Sequence, residues 1–152
     1  MLRPKWVDLD GARGRNLANI LIVDDDAGVQ ITIRLLLEKA GHEVTVAGDG
    51  HKGLALCAAT RFDLLFLDIF MPGMDGLEAM RHIRRQRPEL PIIVISGRSA
   101  APDAYAEPDF LNMATKLGAI ASLSKPFRAD ALMAAVDGCL DPTGTLSSGT
   151  EP

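Results

Sequence analysis

Long apolar runs, cysteine, histidine and an excess of positive charge are all scarce in this chain of 152 residues, and each scarcity removes a class of function. No stretch approaches the 18 or so consecutive apolar residues of a membrane-spanning helix. The basic residues near the N-terminus are not followed by a continuous apolar core and cleavage site, so no signal peptide is expected and the chain is read as cytoplasmic. A net charge of −4 and a pI near 5.3 argue against a nucleic-acid partner, because phosphate contacts need clustered Lys and Arg. There are two cysteines and three histidines, with no CxxC spacing, which argues against a zinc site. Cys57 and Cys139 each stand in an apolar, helical-looking context and are expected to be buried small hydrophobes.

What remains is the composition of one ordinary globular domain, 47% hydrophobic and 24% charged. Five short apolar runs read as strands: Asn19–Val23, Glu43–Ala47, about Asp63–Asp68, Pro91–Ile95 and a weak Ala119–Leu123. Amphipathic stretches alternate with them. The expected helices are Ala27–Ala40, stopped by Gly41, then Lys52–Ala59, Leu77–Gln86, Asp109–Leu117 and Arg128–Leu140. Their apolar stripes are Val29, Ile33, Leu36, Leu37 and Ala40 in the first, Leu54, Leu56 and Cys57 in the second, Leu77, Met80 and Ile83 in the third, and Leu132, Met133, Val136 and Leu140 in the last. The Arg81, Arg84 and Arg85 run reads as a solvated face. Residues 1–18 are expected to be a loosely ordered extension, on which Trp6 and Val7 could dock. Residues 19–140 read as the domain and 141–152 as a disordered tail, with no second domain after Leu140. Strands alternating with helices through short connections predict a flavodoxin-like, doubly wound parallel sheet of order 2-1-3-4-5.

Leu64–Leu67 is apolar throughout, as in a strand buried on both faces, and Asp68 follows where it ends. Ligands of open α/β sheets bind beyond the carboxyl ends of the strands. The residues at those ends are Asp24, Asp25 and Asp26 after the first strand, Asp68 after the third, Ser96 after the fourth and Lys125 after the fifth. Strands 1 and 3 are neighbours in the expected order, so their acids should meet. Two unit charges about 4 Å apart repel by roughly 4 kcal/mol at an effective dielectric of about 20, so a proton or a cation must join them. All-oxygen ligation on a half-open rim suits Mg²⁺, which would leave Asp68 ionised as a nucleophile. Lys125 adds a positive contact and Ser96 a hydroxyl. Asp26 is left open between a contact to metal-bound water and a helix cap.

Four segments together resemble a known family. They are Ile20-Leu21-Ile22-Val23-Asp24-Asp25-Asp26, Leu67-Asp68-Ile69-Phe70-Met71-Pro72-Gly73-Met74-Asp75-Gly76, Ile93-Val94-Ile95-Ser96-Gly97 and Ser124-Lys125-Pro126-Phe127. They occur in the order and rough spacing of response-regulator receiver domains (CheY-like) of two-component phosphorelay systems, over residues 19–140. The resemblance implies Asp68 as phosphoacceptor, and Asp24, Asp25, Asp68 and the Phe70 main-chain carbonyl as Mg²⁺ ligands. It further implies Ser96 as switch hydroxyl, Lys125 as phosphoryl contact, and a cis Lys125–Pro126 bond. A histidine kinase or phosphotransfer protein would be the donor and another protein the target. Such a chain is a signalling phosphoacceptor rather than a turnover enzyme, with no nucleic acid or membrane as partner.

The chain also departs from the family pattern. The aromatic usually found three positions before the lysine is Ser122, so no ring can relay a switch from there. The interval from Ser96 to Lys125 is 29 residues, several longer than usual, with the excess near Arg98–Pro108. That segment holds Tyr105, the chain's single tyrosine, expected to pack on the fourth helix. Rival readings are a receiver-like interaction module, an aspartyl-phosphate hydrolase and a flavodoxin. A hydrolase of that class wants an acid two residues after its nucleophile, where this chain has Phe70. A flavodoxin wants a phosphate-cradling Ser/Thr-Gly loop after strand 1, which is missing.

Overall fold

The computed structural model describes residues 17–71, 73, 76–97 and 107–140, the last segment with side chains from residue 112 on. The expectations for the N-terminal extension, the tail and Tyr105 lie outside the described residues. Strands and helices alternate as β1 (Asn19–Val23), α1 (Ala27–Lys39), β2 (Glu43–Ala47), α2 (Gly50–Ala59), β3 (Leu64–Asp68), α3 (Gly76–Gln86), β4 (Ile92–Ser96), α4 (Glu107–Lys116), β5 (Ala121–Ser124) and α5 (Ala129–Leu140). The five strands form one parallel sheet of order β2-β1-β3-β4-β5, as the sequence predicts.

Period-two alternation sorts the core. Leu21, Val23, Leu65, Leu67, Ile92 and Val94 point to the face covered by α2, α3 and α4, and pack with Cys57, Leu77, Met80, Ile83 and Ala114. Ile20, Ile22, Leu64, Phe66, Ile93 and Ile95 point the other way, onto Ile33 and Leu37 of α1 and Leu132 and Val136 of α5. β1, β3 and β4 are thus apolar on both faces, which is why their sequences are continuous apolar runs. Each fully buried Leu, Ile or Phe adds roughly 1.5–3 kcal/mol of transfer free energy. Cys57 belongs to the first face and the half-buried Cys139 to the second, so the sheet keeps the two thiols apart.

The helices differ from expectation mainly at their ends. α4 begins at Glu107 rather than Asp109, because Pro108 sits in a first turn, where its missing N–H costs nothing. β5 begins at Ala121 rather than Ala119, because the Ala119 N–H is still closing the end of α4 on the Ala114 carbonyl at 3.0 Å. α2 begins at Gly50, with Asp49 capping it through the Lys52 N–H at 2.8 Å. Regular packing starts by Ala18, whose N–H donates to the buried His42 Nδ1 at 3.0 Å. Asp63 does not extend β3 but accepts the Asn19 N–H at 2.9 Å, tying the entrances of β1 and β3.

One expectation is corrected. Arg81 and Arg85 are exposed, but Arg84 is half-buried and reaches over to the end of α4, so the arginine run is not a uniformly solvated face. A stem of three methylenes lets the guanidinium cross an apolar surface before meeting carbonyls.

Candidate functional site

The ends of β1, β3, β4 and β5 meet at one edge of the sheet. Register places Val23 beside Leu67, so Asp24 and Asp68 leave adjacent strands at the same level. Asp68 pairs with Ile95 on β4, which puts Ser96 one residue beyond it, and Ser96 in turn pairs with Ser124. The Lys125 N–H donates to the Ser96 carbonyl at 2.9 Å, delivering the lysine to the rim. The Lys125–Pro126 peptide is cis.

Asp24, Asp68 and Ser96 are buried, whereas Asp25 is exposed. One oxygen from each of Asp24, Asp25 and Asp68 lies within 4.8 Å of the others. Asp24 Oδ1 accepts the Asp26 N–H at 2.8 Å, and the Gln30 side-chain amide donates to the Asp24 main-chain carbonyl. Asp68 Oδ1 accepts the Phe70 N–H at 2.9 Å. The Lys125 ammonium stands 3.3 Å from Asp68 Oδ2 and 3.1 Å from Asp24 Oδ2. The first contact is an aligned hydrogen bond, while the second is an ion pair, leaving Asp24 Oδ2 buried without a hydrogen bond.

Electrostatics follow from this crowding. Burial raises the pKa of Asp68 from 3.8 to about 6; Asp24 adds to the rise, and the Phe70 N–H and Lys125 oppose it. Burial works against charge on Lys125, but Asp68 and Asp24 outweigh it, and its pKa is raised. Three carboxylates face one ammonium, so the cluster holds excess negative charge. An all-oxygen set of three acids, one with a buried oxygen lacking a hydrogen bond, fits a small hard divalent cation.

Asp26 takes the capping role: its Oδ1 accepts the Gly28 and Val29 N–H groups at 2.8 and 3.2 Å, starting α1. Phe70 is exposed beside the acids. Ser122 is exposed on β5, at the sheet edge. A groove of about 680 Å³ opens between the start of α1 and Pro126–Phe127, with Lys125 in its wall.

Gly76 fixes the rim. A Cβ there would stand 2.2 Å from Ile69 Cα and 2.7 Å from the Asp68 carbonyl oxygen, distances that backbone atoms cannot accept. Its N–H donates to the Ile69 carbonyl at 3.2 Å. In the sequence this glycine stands only as the last residue of the segment that follows Asp68. The contact of Gln30 with the Asp24 carbonyl was also missed, since a single glutamine on a helix carries no signal of its own.

Comparison with known proteins agrees with this geometry. The model of the family described as "Response regulator receiver domain" matches residues 20–137. The response regulator MprA of Mycolicibacterium vanbaalenii is 38% identical over 115 residues, covering 76% of this chain and 47% of MprA. The transcriptional regulatory protein GlrR of Escherichia coli is 34% identical over 124 residues, covering 82% of this chain and 26% of GlrR. Among solved structures, the Vibrio cholerae chemotaxis protein CheY4 superposes with a TM-score of 0.71 at 29% identity, covering 82% of this chain and 99% of CheY4. NtrX from Brucella abortus gives a TM-score of 0.75 at 31% identity, covering 87% of this chain and 29% of that one. The chain spans between about a quarter and just over half the length of the curated relatives it matches.

Proposed function

The chain belongs to the response-regulator receiver domain family, and from that membership we propose that Asp68 accepts a phosphoryl group from a phosphohistidine on a partner protein. The supporting observation is the buried Asp68 carboxylate set between two further acids and Lys125. Mg²⁺ would be held by Asp24, Asp25, Asp68 and the Phe70 main-chain carbonyl. When bound, it would supply positive charge against the carboxylates and the transferred phosphoryl oxygens.

In the transfer, an Asp68 oxygen attacks phosphorus opposite the bond to the donor imidazole. A P–O bond forms, the P–N bond breaks, and the imidazole keeps the electron pair and is later protonated from solvent. Attack needs the ionised carboxylate, which burial disfavours and a bound divalent cation would favour. Lys125 already faces Asp68 and is placed to follow the new negative charge, which is roughly −1.5 to −2 on the phosphorylated group. Ser96, at the end of the next strand, would donate its hydroxyl to the phosphoryl group. Both movements would pull on β4 and β5, and so reposition α4 and β5 for a downstream protein. Receiver domains are phosphorylated by histidine kinases, and the donor here is taken to be such a kinase or a phosphotransfer protein. The described residues contain no helix long and apolar enough to cross a membrane. The proposed compartment is the cytoplasm, where such donors present their phosphohistidine. Residues 19–140 are proposed as the receiver unit.

A second reading is supported by Ser122. With an exposed serine in place of the usual aromatic, the switch lacks its ring, and the domain would serve as an interaction module with slow or absent switching. One experiment separates the two. Incubation with acetyl phosphate and Mg²⁺ should add one phosphoryl group to wild type and none to Asp68→Asn. Equal labelling of the Asn variant points to another acceptor, and an unlabelled wild type favours the module.

A further inference from the structure

Arg84, in the last turn of α3, contacts five main-chain carbonyls. Its Nε donates to Leu117 O at 3.2 Å and its Nη2 to Gly118 O at 2.9 Å. Its Nη1 meets Leu90 O at 2.7 Å, Pro88 O at 3.1 Å and, more weakly, Arg87 O at 3.4 Å. The first two carbonyls close the C-terminal end of α4; the other three belong to the connection from α3 to β4. A cation at a helix C-terminus also meets the negative end of the helix dipole. The fit depends on Gly118: its φ is +104°, and a Cβ there would stand 2.8 Å from Arg84 Nε. α3 itself is anchored through buried Leu77, Met80 and Ile83. The other end of α4, at Glu107, is the end that follows Ser96 and the phosphoacceptor rim along the chain.

We propose that Arg84 is the pivot of α4: it holds the C-terminal end of that helix on α3, so that a signal from Asp68 swings the helix from its N-terminal end. The clamp stands on the geometry alone, and the swing rests on the phosphoacceptor reading. The arrangement gives Asp68 a mechanical output that needs no aromatic at position 122. An arginine is suited to it because its planar guanidinium spreads five donors over three nitrogens in a fixed fork, whereas an ammonium has three donors on one nitrogen.

Amide hydrogen exchange tests both parts. In the unmodified protein, Arg84→Met should raise exchange at Leu117, Gly118 and Ala119 by roughly tenfold or more, while β1 and β3 stay protected. Gly118→Ala should do the same from the other side of the contact, and Arg84→Lys should fall between. Unchanged protection at 117–119 in both Arg84→Met and Gly118→Ala would show that there is no clamp. With acetyl phosphate and Mg²⁺, wild type should change exchange over 107–113 and not at 117–119, whereas Arg84→Met should change both. Equal change at both ends of α4 in wild type overturns the pivot. Should wild type gain no phosphoryl mass, the phosphoacceptor reading and the pivot fall together, and the clamp is still judged on the unmodified protein.

Discussion

Lys125 Nζ lies 3.1 Å from Asp24 Oδ2, a buried carboxylate oxygen that accepts no hydrogen bond. The ammonium therefore acts on Asp24 as a counter-charge rather than as an aligned donor, and a divalent cation would compete for the same oxygen. Lys125→Met should destabilise the metal-free protein by about 1–3 kcal/mol, since it strands charge on a buried group. Saturating Mg²⁺ should recover most of that loss. Thermal melts with and without Mg²⁺ check this, and an equal loss in both would show that the lysine and the metal do not share the site.

Asp25 is the exposed member of the acid cluster and can be removed without opening the core. Mg²⁺ should raise the melting temperature of wild type by mass action, and Asp25→Ala should remove most of that rise. A variant that responds to Mg²⁺ as wild type does would take Asp25 out of the metal site.

The metal-free protein should lose stability as pH rises from about 4 to 6. The folded-state pKa of Asp68 is about 6 against an ordinary 3.8, so in that window the folded state binds more protons than the unfolded one. The gap corresponds to a loss on the order of 3 kcal/mol, complete above the folded pKa. Asp68→Asn, which cannot ionise, should flatten this slope and be more stable than wild type at pH 7 without metal. Denaturant midpoints at pH 4 and 7 decide the matter; parallel slopes in the two proteins would place the titration elsewhere.

Gly76→Ala should cost about 1–3 kcal/mol and slow phosphorylation of Asp68, because the new methyl must displace Ile69 and the Asp68 carbonyl. Stability and labelling rate are measured together. A stable variant labelled at the wild-type rate would mean the rim can yield at no expense to the nucleophile.

Phe70 stands exposed beside the acids, two residues after the nucleophile, and its ring cannot orient a water by hydrogen bonding. Loss of phosphate from Asp68 should therefore be slow, and Phe70→Asn should speed it. Equal decay of the phosphorylated wild type and variant would show that the ring shields nothing, and faster decay of wild type would reverse the argument.

The strands and the rim were legible because burial on both faces writes continuous apolar runs, as in Ile20–Val23 and Leu64–Leu67, and because a charge that ends such a run must lie at the open edge of the sheet. Asp24 and Asp68 were placed that way, and strand order brought Ser96 and Lys125 to the same edge. Arg84 was not legible: periodicity marks which side of a helix is apolar, but not where a long cationic side chain ends 33 or 34 residues along the chain. Gly76 was hidden for a related reason, since a missing Cβ reports a close approach only once the neighbour, here Ile69, is known. The shifted starts of α4 and β5 reflect local choices at Pro108 and Ala119 that hydrophobic patterning does not encode.

The hydrogen bond from the Gly76 N–H to the Ile69 carbonyl has one more consequence. It joins the two ends of the segment that carries Phe70 and Met71, so that segment departs from and returns to one fixed point beside Asp68. Within it the Phe70 N–H holds Asp68 Oδ1 and Met71 is buried, so the backbone at 70 and the side chain at 71 are fixed parts of the centre. In engineering terms the adjustable element is the exposed side chain at 70 alone: exchanging it would alter how long the phosphate stays while the backbone contact to the acid is kept.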